Sequence, residues 1–359
     1  MIGSKCVIKI SIGAQMQTEI QEKTFLLDGS GHLNTPGWAR KPFWEYDRKA
    51  IAAPWFRIKE WDYYYLLSSE LQVGLAITIS DLGYAGLCAI CWIDLKTAKT
   101  YQAEVLIPLP KGKLGLDADS YSSKVSVNQK DLMIDYQVND GVRELVFSAP
   151  NLDIENSKGL TGKMVLSSPS EDDSLNIATS WKNKPTAFYY NRKINTMSVV
   201  GWVDVGDQKY EFTHDNCQAG LDWGRGNWTY KNRWFWASAN CHVNEKPFGM
   251  NLGYGFSDRS MASENVVFYE GVAHKLDEIT FQFNERDYLE PWMAESSDGR
   301  LKFTFTPIVD RHSETNLLVI RSKQHQVFGR FDGVVTLDGG ELLKFDNMLG
   351  FAEDVFNCF

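Results

Sequence analysis

The sequence predicts an all-β protein built as two antiparallel barrels in tandem, and three observations carry that expectation. Apolar and polar residues alternate with a period of two: Ile279, Phe281 and Phe283 interleave with Thr280 and Gln282, and Leu301, Phe303 and Phe305 with Lys302, Thr304 and Thr306. Turn pairs recur between such stretches, at Asp28-Gly29, Asp140-Gly141, Asp298-Gly299, Asp332-Gly333 and Asp338-Gly339, as a meander of short strands requires. Finally, the two halves echo each other. Lys59-Glu60-Trp61 leads through Tyr63-Tyr64-Tyr65 to Val73-Gly74-Leu75 and on to Ser80-Asp81, while Asn232-Arg233-Trp234 leads through Phe235-Trp236-Ala237 to Asn251-Leu252-Gly253 and on to Ser257-Asp258.

Taken in order, residues 1–20 form an N-terminal arm. Met16 opens the first segment of ordinary composition, so the residues before it read as a loose arm or a start-site artefact. The block from Pro36 to Arg48 carries Trp38, Arg40, Trp44, Glu45 and Arg48 and is too rich in aromatic and charged residues for a linker. The first barrel spans residues 21–190 and the second 191–359, with the seam in the polar stretch from Lys182 to Asn195 around Pro185. Each repeat, at roughly 150 residues, is the size of a small up-and-down barrel whose interior suits one ligand. Val73 to Ile93 is the most apolar region, but Asp81, Gly83 and Gly86 interrupt it, so it reads as two buried strands and not as a membrane span.

Composition narrows the function. Hydrophobic residues make up 43% and charged residues 23% of the 359 residues, which places the chain among globular proteins with a large core. The net charge of −9 disfavours nucleic acid as a partner. Aromatic residues at 13%, with 12 Trp, point to broad aromatic cores or to a pocket for an apolar small molecule. The start of the chain lacks an apolar run of signal-peptide length and a small-residue cleavage pattern, so a cytoplasmic location is expected. The six cysteines, Cys6, Cys88, Cys91, Cys217, Cys241 and Cys358, lack framework spacing and read as reduced thiols. Cys88 and Cys91 form a C-x-x-C within a strand, where positions three apart face opposite ways. No two histidines have metal-ligand spacing, and phosphate-loop, dinucleotide-loop and serine-hydrolase motifs are absent, so neither metal nor cofactor is expected.

The densest polar and aromatic block runs from Leu221 to Tyr230. Asp222 and Arg225 within it read either as a buried ion pair or as a catalytic pair, with Asp222 a general acid whose proton is retained by desolvation in an apolar cavity. Trp223 lies between them and Trp228 follows. Glu264 and Asn265, at the head of the run Val266-Val267-Phe268, are further polar candidates, as is Glu353. Glu264 would be the second carboxylate of a paired-acid site. Arg40 could fork onto an anionic ligand group or tie its segment down by salt bridges. Trp38 beside it is a packing anchor or a ligand stacker.

Several blocks together resemble a known family: Leu26-Leu27-Asp28-Gly29 through Gly37-Trp38-Ala39-Arg40, Leu221-Asp222-Trp223-Gly224-Arg225-Gly226 through Trp234-Phe235-Trp236, and Asn251-Leu252-Gly253-Tyr254 through Glu264-Asn265. With Asp298-Gly299-Arg300 and Val327-Phe328-Gly329-Arg330, they are similar to the bacterial family called domain of unknown function 2804, over about residues 20 to 357. The resemblance implies tandem lipocalin-like barrels, distantly similar to AttH-like proteins and carotenoid hydratases, with tocopherol cyclase as a looser relative. It assigns no reaction. The relatives' mid-chain motif pairs Trp and Asp with a following basic residue, and Asp222-Trp223-Gly224-Arg225 stands in that place with altered order.

Two functional expectations follow. The first is a hydrophobic small molecule, a lipid or isoprenoid-like compound, held in an aromatic barrel cavity lined by Trp38, Arg40, Trp223, Arg225, Trp228, Tyr254 and Asn265. The second is a cofactor-independent hydratase, cyclase or isomerase with Asp222 as general acid and aromatic faces stabilising a cationic intermediate.

Overall fold

The computed structural model describes residues 7–10, 17–317 and 319–359. Cys6, Met16 and most of the expected N-terminal arm lie outside these residues. The described chain is nearly all strand; its helical elements are the short 3-10 turns Arg48–Ala50 and Trp55–Arg57. It forms two compact units, one of Met1–Ala52, Asp173–Asn195 and Gly226–Phe359, the other of Ala53–Asp172 and Thr196–Arg225.

In the first unit, nine strands form one antiparallel sheet, and the chain from Lys231 to Cys358 supplies all of them. The strand Lys231–Val243 pairs with its sequence neighbour Lys246–Tyr254 and also with the last strand, Leu342–Cys358, so the meander returns to its start. The two edge strands, Val272–Lys275 and Ile279–Gln282, are consecutive in sequence, which curls the sheet towards closure. Tyr254 Oη accepts the Phe281 backbone N–H at 3.1 Å across that gap. The alternation seen in the sequence has its physical cause here: Phe303 and Phe305 point into the curl and Lys302 and Thr304 point out.

Aromatic rings pack this interior. Phe283 stacks on Trp292 at 4.1 Å, Phe305 lies 4.4 Å from Phe331, and Phe248 lies 5.4 Å from Phe345. The unit also holds the aromatic N-terminal segment. Gly37–Ala39 pairs with Leu175–Trp181, which pairs in turn with the first half of the strand Lys184–Val205. The stretch read as a polar seam is therefore strand, and its Asn191, Arg192, Lys193 and Asn195 are buried.

In the second unit, the hairpins Ile58–Ser68, Val73–Asp81, Ala85–Asp94 and Lys99–Pro108 form one run. Ser123–Gln129, Leu132–Asn139, Val142–Ile154 and Ser157–Ser167 form a second. The end of Lys184–Val205 pairs with Ser157–Ser167, and Val142–Ile154 comes alongside Lys99–Pro108, again giving a curled sheet. Inward positions are read directly from burial: Leu132, Ile134, Tyr136 and Val138 alternate with more exposed neighbours, as do Arg143, Leu145 and Phe147. Most expected turns are present, and Asp140-Gly141 closes its hairpin with both residues at positive φ. Asp332-Gly333 is different. It lies inside the strand Ile320–Thr336 at a register shift, a bulge where the composition suggests a turn.

Candidate functional site

The charged centre of the second unit grows from four strands. Asp62 lies on Ile58–Ser68, Tyr136 on Leu132–Asn139, Arg143 on Val142–Ile154 and Arg225 at the end of Gln218–Asn227. Arg225 is fully buried, and its Nη1 donates to Asp62 Oδ1 at 2.9 Å. Its remaining donors reach backbone: Nη1 to the carbonyls of Trp61 and Gly224 at 2.8 Å each, and Nε and Nη2 to the Asp117 carbonyl at 3.1 and 2.8 Å. The Trp223 ring centroid lies 4.0 Å from the guanidinium carbon, a cation–π contact in a dry setting.

The second oxygen of Asp62 accepts the Tyr136 hydroxyl. Burial pushes the Tyr136 pKa well above its usual value, and the nearby Asp62 charge adds to the rise, so the phenol keeps its proton. Tyr64 sits edge-on to Tyr136 at 5.6 Å, and its pKa is likewise raised, by burial first. Arg143 stands beside Tyr64, where its charge opposes that rise. It is buried, donates to the carbonyls of Gly141 and Ser120, and leaves Nε without a partner. The result is a carboxylate, two buried guanidiniums and two protonated phenols among apolar side chains.

Sequence reasoning singled out Arg225 and Trp223, which the structure brings together, and missed Asp62, Tyr136 and Arg143. The available signal was local: Tyr136 and Arg143 occupy inward positions of alternating strands, where an unpaired polar group is costly. Arg225 takes Asp62 as its carboxylate partner. Asp222 projects from the opposite face of the same strand. On that face an added Cβ at Gly220 would meet the Tyr65 ring at 2.3 Å and one at Gly224 would meet the Trp61 ring at 1.9 Å, so Asp222 lies between two seated aromatics.

The other sequence candidates belong to the first unit. Arg40 donates to Glu19 at 3.0 Å, to Asp173 at 2.7 Å and to the Ala273 carbonyl at 2.7 Å. Trp38 is buried beneath two cations, with Arg40 at 5.3 Å and Lys275 Nζ at 5.2 Å from its ring centroid. Burial drives the Lys275 pKa down to about 7 against the pull of Glu264 and Glu278. Glu264 Oε2 lies 3.9 Å from Lys193 Nζ, which sits 3.9 Å over Trp236. Asn265 accepts from Gly253 N at 2.9 Å and donates to the Asp277 carbonyl at 2.8 Å, joining adjacent segments. Tyr254 stacks on Phe235 at 4.6 Å, and Trp228 packs edge-on against Phe256 at 4.9 Å. Glu353 accepts from Gln326 at 2.5 Å. Asp222 and Glu264, the expected pair of acids, fall in different units. Among the described residues, no group of three or more His, Cys, Asp or Glu is placed to hold a metal ion, and no helix is long and apolar enough to cross a membrane.

Two curled antiparallel sheets of this kind define a class of tandem β-barrel proteins, and solved structures share the arrangement. Kievitone hydratase from Nectria haematococca superposes with a TM-score of 0.52 at 10% identity, covering 84% of this chain and 88% of its own. CghA superposes with a TM-score of 0.54 at 10% identity, covering 83% and 87%. CghA solved with Sch210972 gives 0.53 at 9% identity over 84% and 88%. By sequence, residues 17–359 match the profile of the domain of unknown function 2804 family, and the chain belongs to that family. No curated protein matches the sequence.

Proposed function

We propose that this protein binds an apolar small molecule in its second unit and performs cofactor-independent acid–base chemistry on it, of the type that adds or removes water. The observation that carries this reading is Asp62, buried in an apolar aromatic interior and shared between the Arg225 guanidinium and the Tyr136 phenol. Asp62, bonded to Arg225, is the group placed to accept a proton, and Tyr136 holds one to deliver. In addition of water across an activated double bond, the water oxygen bonds to one carbon and passes a proton to Asp62. The other carbon takes the Tyr136 proton, and Asp62 returns its own to Tyr136 through their hydrogen bond. Arg225, bonded to Asp62 at 2.9 Å, would steady the transient negative charge. The hydratase among the structural neighbours supports the reaction class, and the aromatic walls support an apolar substrate, lipid or isoprenoid-like, in a cytoplasmic barrel of lipocalin-like kind.

The test is extraction of bound compounds from purified wild-type protein and from Tyr136→Phe, which preserves the Asp62–Arg225 pair, followed by mass spectrometry. The expected result is an apolar compound in the variant that differs by one water from the compound released by the wild type. Absence of any apolar compound from both proteins overturns the binding, and identical compounds in both overturn the chemistry. A second reading takes its support from the position of Asp222 between the rings of Trp61 and Tyr65: there Asp222 would be the general acid. Accumulation of the unconverted compound in Asp222→Asn but not in Tyr136→Phe would favour it.

A further inference from the structure

The second unit presents an exposed aromatic turn with a basic border that the proposed chemistry does not use. Trp55 and Phe56, in the 3-10 turn Trp55–Arg57, are 40% and 45% exposed and meet edge to face at 5.6 Å. The turn is held out by a rigid backing. Gly83, at φ +82°, passes so close beneath that an added Cβ would lie 2.4 Å from the Trp55 carbonyl oxygen. Asp81, fully buried, accepts from Gly83 N at 2.8 Å and from Gly112 N at 2.6 Å, which couples this backing to the turn around residues 109–113. From that turn, Lys111 N–H donates to the Gly83 carbonyl at 3.1 Å and Lys111 Nζ lies 4.7 Å from the Trp55 ring centroid. Leu109, 55% exposed at φ +50°, is tied by its N–H to the Tyr84 carbonyl at 3.0 Å.

The charge of this region runs against that of the chain. Arg57, Lys111 and Lys113 border the turn, and residues 53–59 and 105–116 contain neither Asp nor Glu, in a protein of net charge −9; Lys59 is buried behind the turn, donating to the Phe56 and Leu82 carbonyls at 3.1 and 2.8 Å. The carboxylate behind the turn, Asp81, accepts two backbone amides. Exposed Trp and Phe bordered by Lys and Arg match the interfacial zone of a bilayer, where amphipathic rings settle at headgroup level and anionic lipids attract cations.

We propose that Trp55, Phe56 and Leu109, with Arg57, Lys111 and Lys113 around them, form a docking face for the surface of an anionic membrane. This face is independent of the Asp62 centre: either assignment can fail alone. The test is co-sedimentation of the full chain with phosphatidylcholine vesicles, with and without phosphatidylglycerol, at low and high salt. Binding is expected only with phosphatidylglycerol present, and it should weaken as salt screens the cations. Trp55→Ser with Phe56→Ser, and separately Lys111→Glu with Lys113→Glu, should each weaken binding by about tenfold or more. Lys302→Glu, a reversal of an exposed lysine elsewhere, should leave binding unchanged, and melting curves should show all variants folded. No binding to phosphatidylglycerol vesicles, or binding that both double variants retain, overturns the proposal. So does sedimentation showing a dimer that Trp55→Ser with Phe56→Ser dissociates without any vesicle binding, since the face would then belong to a second copy of the chain.

Discussion

Arg225 and Asp62 meet at 2.9 Å inside the second unit, with 0% and 3% of their side chains exposed. Removing one partner of such a pair strands the other charge, so Asp62→Ala should lower stability by about 3–5 kcal/mol. Adding Arg225→Met should recover much of that loss. Urea denaturation of the two variants measures the difference, and a double variant no more stable than the single one would mean that the backbone bonds of Arg225, not its charge, dominate.

The glycines beneath Tyr65 and Trp61 make a sharper test of packing. A methyl at Gly224 would overlap the Trp61 ring, and overpacking of a filled interior costs roughly 1–3 kcal/mol or more. Gly224→Ala should therefore lower the melting temperature by several degrees. Trp61→Leu in the same chain should restore part of it, although Trp61→Leu alone should be destabilising.

The barrel interior of the first unit is filled by its own rings, and Phe305 is completely buried among Phe331 and Trp292. Phe305→Ala should cost about 3–5 kcal/mol. Because an apolar cavity stays dry and accepts small apolar guests, benzene should raise the melting temperature of this variant and leave the wild type unchanged. A benzene response in the wild type would show space already present.

Lys275 predicts a pH dependence. Its folded pKa is held down to about 7 by burial, below the usual 10.5. Between those values the unfolded chain binds the extra proton, so this residue makes stability rise as pH increases from 7 towards 10.5. At neutral pH and below its contribution is least favourable. Lys275→Met should flatten the wild-type slope between pH 7 and 9, a window chosen because buried thiols such as Cys88, pushed up to about 12 from 9.0, act in the opposite direction above it. Melting temperatures of the two proteins across that range supply the comparison, and equal slopes would refute the assignment.

The all-β class was legible because alternation and turn chemistry are local, and the same residues that alternate in sequence alternate between core and solvent. The echo around Trp61 and Trp234 was legible too, since both begin strands that open a meander. Asp332-Gly333 misled because a bulge and a turn use the same small, permissive residues. The polar stretch from Lys182 to Asn195 ends where the chain passes from one unit to the other, but its burial was not legible, because composition reports polarity and not burial: Asn195 is buried, its amide nitrogen donating to Ser238 Oγ at 3.0 Å.

What the sequence by itself determined was the strand class, the doubling of the pattern and the family, because each is written in neighbours or in ordered blocks along the chain. Only the tertiary structure decided which charges meet. Asp62, Tyr136 and Arg225 are separated by long stretches of chain, and Arg225 turned to Asp62 while Asp222, three residues away, faced the other side of the strand. Partner choice in a barrel is set by which strands curl alongside one another and by the two-residue alternation of each, and those relations exist only once the sheet has closed.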